Sequence, residues 1–71
     1  MDIRVRLGRN VRHFRLKLGL SQEALAEEAD IHRTYVSDVE RGARNPTITV
    51  VEKLARALKV TAGELLEDRV S

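Results

Sequence analysis

LSQEALAEEADIHRTYVSDVERG, residues 20–42, reads as two short amphipathic helices joined by a turn. Ser21 has a side chain suited to cap a helix start, with Leu20 and Leu25 at the two positions of a hydrophobic staple. Leu25, Ala26 and Ala29 then share an inner face, and the small alanines permit close helix contact. A second helix follows, with Ile31 and Val36 as a staple around His32. At ~100° per residue, Tyr35, Val36 and Val39 fall on one side of it. Arg33, Thr34, Ser37, Asp38 and Arg41 gather on the other. Packing explains the first stripe, but it gives no reason for a guanidinium, two hydroxyls and a carboxylate to share the second.

The flanking sequence supplies three more helices. Upstream, Ile3, Leu7, Val11, Phe14 and Leu18 form one stripe of a first helix, which Gly19 ends as the residue just past it. Downstream, Asn45-Pro46 marks a loop, because the residue before proline avoids the helical region. Thr49-Val-Val-Glu52 fits a capping box that opens a fourth helix, with Val50, Val51, Leu54, Ala55 and Leu58 inward. Glu52 and Arg56 are placed as an i,i+4 ion pair on its outer face. Thr61-Ala-Gly-Glu64 is a second capping box, stapled by Val60 and Leu65, and starts a short fifth helix. No segment alternates with a period of two between turns. The pattern predicts one all-α domain spanning residues 1–71, built of five helices.

Composition narrows the function. The chain has 71 residues, no cysteine and two aromatic residues. His13 and His32 match no metal-ligand spacing, and His13 reads as a surface residue. Size and the lack of a ligand cluster argue against an enzyme, a metal site or a cofactor, and no small-molecule ligand is evident. No apolar run is long enough to span a bilayer, and no signal-peptide core lies near Met1, so the chain reads as a soluble cytoplasmic domain. The net charge is only +2 but is unevenly spread. Residues 1–20 carry six basic side chains against Asp2, and residues 21–30 carry four acidic ones and no base. The basic segment and a pI near 9.5 suit an anionic partner.

The span 20–42 resembles the helix-turn-helix of the phage repressor and Cro family (Xre-type regulators). The resemblance lies in Gln22 after a capping position, Leu25-Ala26, the short turn, the apolar pair Val36 and Val39, and Glu40-x-Gly42. NPTITVVEKLARALKVTAGELL, residues 45–66, is similar to that family's fourth and fifth helices. RTYVSDVERGARNPTI is especially similar to controller proteins of restriction–modification systems. The resemblance covers about residues 3–67. It implies a compact five-helix lambda-repressor-like fold and a homodimer that binds operator half-sites in double-stranded DNA, with helix 3 in the major groove. Two positions depart from the common pattern. Asp30 stands where the turn often has glycine, and His32 stands where Asp, Ser or Thr is the usual cap.

The outer stripe has a chemistry to match. An α-helix fits the major groove, where each base pair shows a distinct donor and acceptor pattern. Arg33 can donate paired N–H groups to guanine, Thr34 offers a hydroxyl and a methyl, Asp38 can accept from cytosine N4, and Ser37 can do either. Family resemblance puts base reading at 33, 34 and 38. Gln22, at a helix N-terminus, is placed for a phosphate, as are Arg41, Arg44 and Asn45 after helix 3 and the Tyr35 hydroxyl. An equivalent of Arg15–Glu40 in the family is a structural ion pair joining helices 1 and 3. Val60, Ala62, Leu65, Leu66 and Val70 supply the apolar surface expected for the dimer. Two other readings compete: a protein–protein interaction module on the same fold, and the antitoxin of a toxin–antitoxin pair. The first would not need the Arg33/Thr34/Asp38 face, and no obvious tail serves the second.

Overall fold

The computed structural model describes residues 2–68, and five helices form among them: α1 (Ile3–Lys17), α2 (Gln22–Ala29), α3 (Arg33–Glu40), α4 (Ile48–Leu58) and α5 (Ala62–Leu66). No strand occurs among the described residues, in line with the all-α five-helix expectation. Helix α1 crosses behind the domain and packs on α3, α4 and α5, while α2 is wedged against α3 and α4. The core is aliphatic: Leu7, Val11, Leu25, Val36, Val39, Leu54, Leu58 and Leu65 meet there, with Phe14 at its edge. Each such side chain contributes about 1.5–3 kcal/mol by leaving water.

Helix starts and stops follow local chemistry. Asp2, Ser21, Thr47 and Thr61 each accept a hydrogen bond from the backbone N–H two or three residues on. At Thr61 the reciprocal bond from its N–H to Glu64 completes the capping box. Past α1, Gly19 takes φ +71°, so that Leu20 N–H reaches back to Arg15 O and Gly19 N–H to Leu16 O. Asp30 fills the same role after α2 at φ 56°, and Ile31 N–H closes on Ala26 O. The turn therefore keeps its shape without glycine, since Asp tolerates the left-handed conformation better than most side chains. His32 also works as a cap. Its Nδ1 accepts from Thr34 N–H at 3.1 Å, so α3 begins at Arg33.

Several local expectations change. The N-cap of α4 is Thr47, not Thr49; the helix starts at Ile48 and the box centred on Thr49 does not form. Val51 is buried and lines a cleft with Pro46, while Ile48, in the first turn, is 87% exposed. The α1 stripe is buried only in its middle. Ile3 and Leu18 are 51% and 41% exposed because the core ends before the helix does. Leu65, expected at a dimer surface, is 0% exposed and closes the monomer core.

Two α1 residues outside the apolar stripe fix the packing. A Cβ on Gly8 would lie 2.3 Å from Val39 O and 2.8 Å from Glu40 O, so α1 and the end of α3 touch backbone to backbone there. Buried Asn10 donates to Leu65 O and Glu67 O, both at 2.8 Å, and ties down the C-terminal end of α5.

Candidate nucleic-acid interface

Helix α3 buries Val36 and Val39 and turns its other side outward. Arg33 and Thr34 are exposed in its first turn, and Ser37 and Asp38 are half-buried one turn on. The predicted reading residues therefore share one accessible face. An open groove beside them is lined by Arg33, by Ser21 at the cap of α2, and by Gln22 and Glu27 of α2.

The orientation of α3 is set from behind by an ion pair. Arg15 Nε donates to Glu40 Oε2 at 2.6 Å and its Nη2 to Oε1 at 3.0 Å, in the paired geometry that a planar guanidinium makes with a carboxylate. The two side chains are only 10% and 5% exposed. Arg15 Nη1 also donates to Leu20 O at 2.9 Å, which adds the turn before α2 to the network. Bonding to Glu40 raises the Arg15 pKa, against the opposing effect of burial. Gln22, read from sequence as a phosphate ligand, donates from Nε2 to Glu40 Oε1 at 3.1 Å. One carboxylate thus holds α1, α2 and α3 in register.

A second cluster lies on the outer face. Asp38 accepts from Arg41 through Oδ1 and from Arg44 through Oδ2, the latter at 3.1 Å. The Arg44 guanidinium also lies over the Tyr35 ring, 4.3 Å from its centroid. The bonds from Arg44 and then Arg41 hold the Asp38 carboxyl below the usual range. Residues that sequence reading divided between bases and phosphates are here joined to one another. Spacing on a helical wheel hints at the Asp38–Arg41 contact, but Arg44 lies beyond the helix and only the turn at Gly42, with φ +72°, returns it. Asn45 is exposed and lines the apolar cleft toward α1 and α4.

The surface proposed for dimer contact is divided. Ala62 and Leu66 line a cleft of about 230 Å³ together with Ile3, Pro46 and Ile48. Val60 instead faces a separate depression with Leu18 and Leu58. Val70 lies outside the described residues. Ile3, read from sequence as part of the inward α1 stripe, and Ile48, which the sequence reading missed, contribute more exposed apolar surface than any described α5 residue. No helix among the described residues is long and apolar enough to cross a membrane, and no group of potential metal ligands occurs among them.

Two adjacent helices in this arrangement, with a polar face on the second and a buried strut behind it, define a helix-turn-helix protein. The chain belongs to the helix-turn-helix family, which it matches over residues 11–65, and is a DNA-binding transcriptional regulator. It is 49% identical over 67 residues to the control protein C.BamHI of Bacillus amyloliquefaciens, a match that covers 93% of this chain and 83% of that one. The crystal structure of a hypothetical transcription factor from Neisseria superposes with a TM-score of 0.90 at 47% identity, over 93% of this chain and 76% of that one. The restriction–modification controller protein C.AhdI from Aeromonas hydrophila gives 0.87 at 42% identity, over 92% and 98%. These relatives are regulators, a non-enzymatic role.

Proposed function

We propose that the protein acts as a homodimer that inserts two α3 helices into successive major grooves of an operator and controls a restriction–modification locus from the cytoplasm. The observation that carries this reading is the exposed Arg33–Thr34 face on a helix held from behind by the buried Arg15–Glu40 pair. A reading head needs donors at the surface and a fixed backbone beneath them. Arg33, Thr34, Ser37 and Asp38 face the bases, while Gln22, Tyr35, Arg41, Arg44 and Asn45 take phosphates. Gln22 does so from the first turn of α2, where unpaired amides and the dipole favour an anion.

Dimensions support two copies. One protomer measures 28 Å along its longest axis, less than the ~34 Å between major grooves on one face of DNA. A single chain therefore covers one half-site. Ala62 and Leu66, with Ile3 and Ile48 around them, form the apolar surface best placed for the partner, whereas Val60 faces a separate depression.

Selection of bound duplexes from a random pool tests the reading and should return a two-fold-symmetric site. Arg33→Ala should then cost ~1–3 kcal/mol per half-site and flatten preference at one base position. Recovery of no preferred sequence, or an Arg33→Ala protein with its preference intact, would overturn it.

A further inference from the structure

The Asp38 cluster has a consequence for specificity. Each carboxylate oxygen of Asp38 already holds one guanidinium, from Arg41 and from Arg44. The Asp38 side chain is 20% exposed, while those of Arg41 and Arg44 are 65% and 42% exposed. Two guanidiniums converging on one pair of anionic oxygens is also how arginines meet a phosphate. Asp38 therefore occupies, in the free protein, donors that a DNA backbone would take.

Resting on the reading that α3 enters the major groove, we propose that Asp38 makes the phosphate grip of Arg41 and Arg44 conditional on the base it meets. If both arginines turn to phosphates, the carboxylate loses its donors while facing a polyanion. A cytosine N4 or adenine N6 amino group supplies a replacement donor in the major groove, whereas guanine N7 and O6 and thymine O4 supply none. On a matching sequence the exchange is complete: the amino group replaces the guanidiniums at Asp38, and phosphates replace Asp38 at the guanidiniums. On other sequences Asp38 retains its arginines and the backbone contacts stay partial. The lowered Asp38 pKa agrees with a carboxylate that remains charged in the free protein. Tyr35 gives Arg44 a stacking surface that does not depend on Asp38, so releasing the ion pair need not disorder the arginine.

The test is a double-mutant cycle read on two duplexes. The unsubstituted protein, Asp38→Asn, Arg44→Ala and the double variant are titrated with the selected operator and a scrambled duplex over a salt series. Conditional grip requires Asp38→Asn to bind the scrambled duplex ~3-fold or more tightly, with a salt slope steeper by about 1 for each additional phosphate held. Operator affinity should not rise to match, so the preference narrows. In the Arg44→Ala background the effect of Asp38→Asn should shrink by ~2-fold or more, because the released arginine is absent. Asp38→Ala, which cannot accept from either arginine, should reproduce the pattern, and circular dichroism should show both variants folded. An equal tightening in both backgrounds would mean general charge removal and would overturn the proposal. So would a loss confined to the operator, which makes Asp38 an independent base reader. If the unsubstituted chain bound no duplex, the groove-insertion reading itself would fail, a result separable from either of these.

Discussion

Replacing Glu40 with alanine should remove a large part of this domain's stability margin. Glu40 accepts two bonds from Arg15, at 2.6 and 3.0 Å, and one from Gln22 at 3.1 Å, with its side chain only 5% exposed. Without it, Arg15 keeps, among the described residues, the Leu20 carbonyl as its acceptor while staying 10% exposed. Breaking a buried pair from one side typically costs ~3–5 kcal/mol, because a desolvated charge is left behind. A typical domain has ~5–15 kcal/mol in total, and a chain of this length lies toward the lower end. The melting temperature should fall by more than ~10 °C, at ~4–8 °C per kcal/mol for a domain of this size. Urea denaturation followed by circular dichroism measures the change directly. Pairing the substitution with Arg15→Met should recover much of the loss, since removing both charges leaves no orphan. A loss under ~1 kcal/mol for Glu40→Ala, or no recovery in the double variant, would refute the view that this pair is a buried strut.

Other outcomes follow from single contacts. Gly8→Ala should destabilise by ~1–3 kcal/mol in urea although alanine is the better helix former, because its Cβ would meet Val39 O and Glu40 O; a stabilised variant would show that α1 and α3 are farther apart. Leu66→Glu should give a monomer by sedimentation and weaken operator binding more than it lowers thermal stability, and an unchanged dimer would move the interface elsewhere. Asp2 caps α1, and its bond with the Arg4 side chain, then that with the Arg4 backbone N–H, lowers its pKa from 3.8 to about 2. A depressed carboxylate stabilises above its unfolded value and loses that contribution as pH falls through the folded one. Asp2→Asn should therefore flatten the stability profile between those two values, and an unchanged acid profile would refute the assignment.

Much of the fold was legible in the sequence because helix formation here is local. An apolar stripe, a capping side chain and a residue tolerant of positive φ lie within a few positions of one another, so Ser21, Gly19 and Thr61 could be read directly, while Asp30 was placed in its turn by the family resemblance. The Glu52–Arg56 pair, with Arg56 Nε 3.0 Å from Glu52 Oε2, is legible for the same reason. The outer face of α3 also needs only helical geometry, so residue spacing alone places Arg33 and Thr34 on it.

Tertiary packing decided the rest. The capping signature pointed to Thr49, but in the folded chain Thr47 caps α4 and the helix begins at Ile48. Leu65 and Leu66 were both read as dimer contacts, yet the packing of α5 buries Leu65 and leaves Leu66 partly open. Gly8 and Asn10 carry signals that were there to be noticed, a glycine inside a helix and a polar residue beside buried Val11. Their purpose still lies with partners more than 30 residues away, a carbonyl at Val39 and carbonyls at Leu65 and Glu67. Lys59 carries none, although it takes the left-handed conformation at φ 62° so that Val60 can close on Ala55 O. The Asp38 cluster belongs to the same class, since charges on a helix and on the loop after it have no fixed relation until the chain turns at Gly42. The sequence alone determined which segments are helical and which α3 side chains face outward, because those depend on neighbours along the chain. Which charges pair, and which apolar residues stay uncovered, depended on neighbours in space.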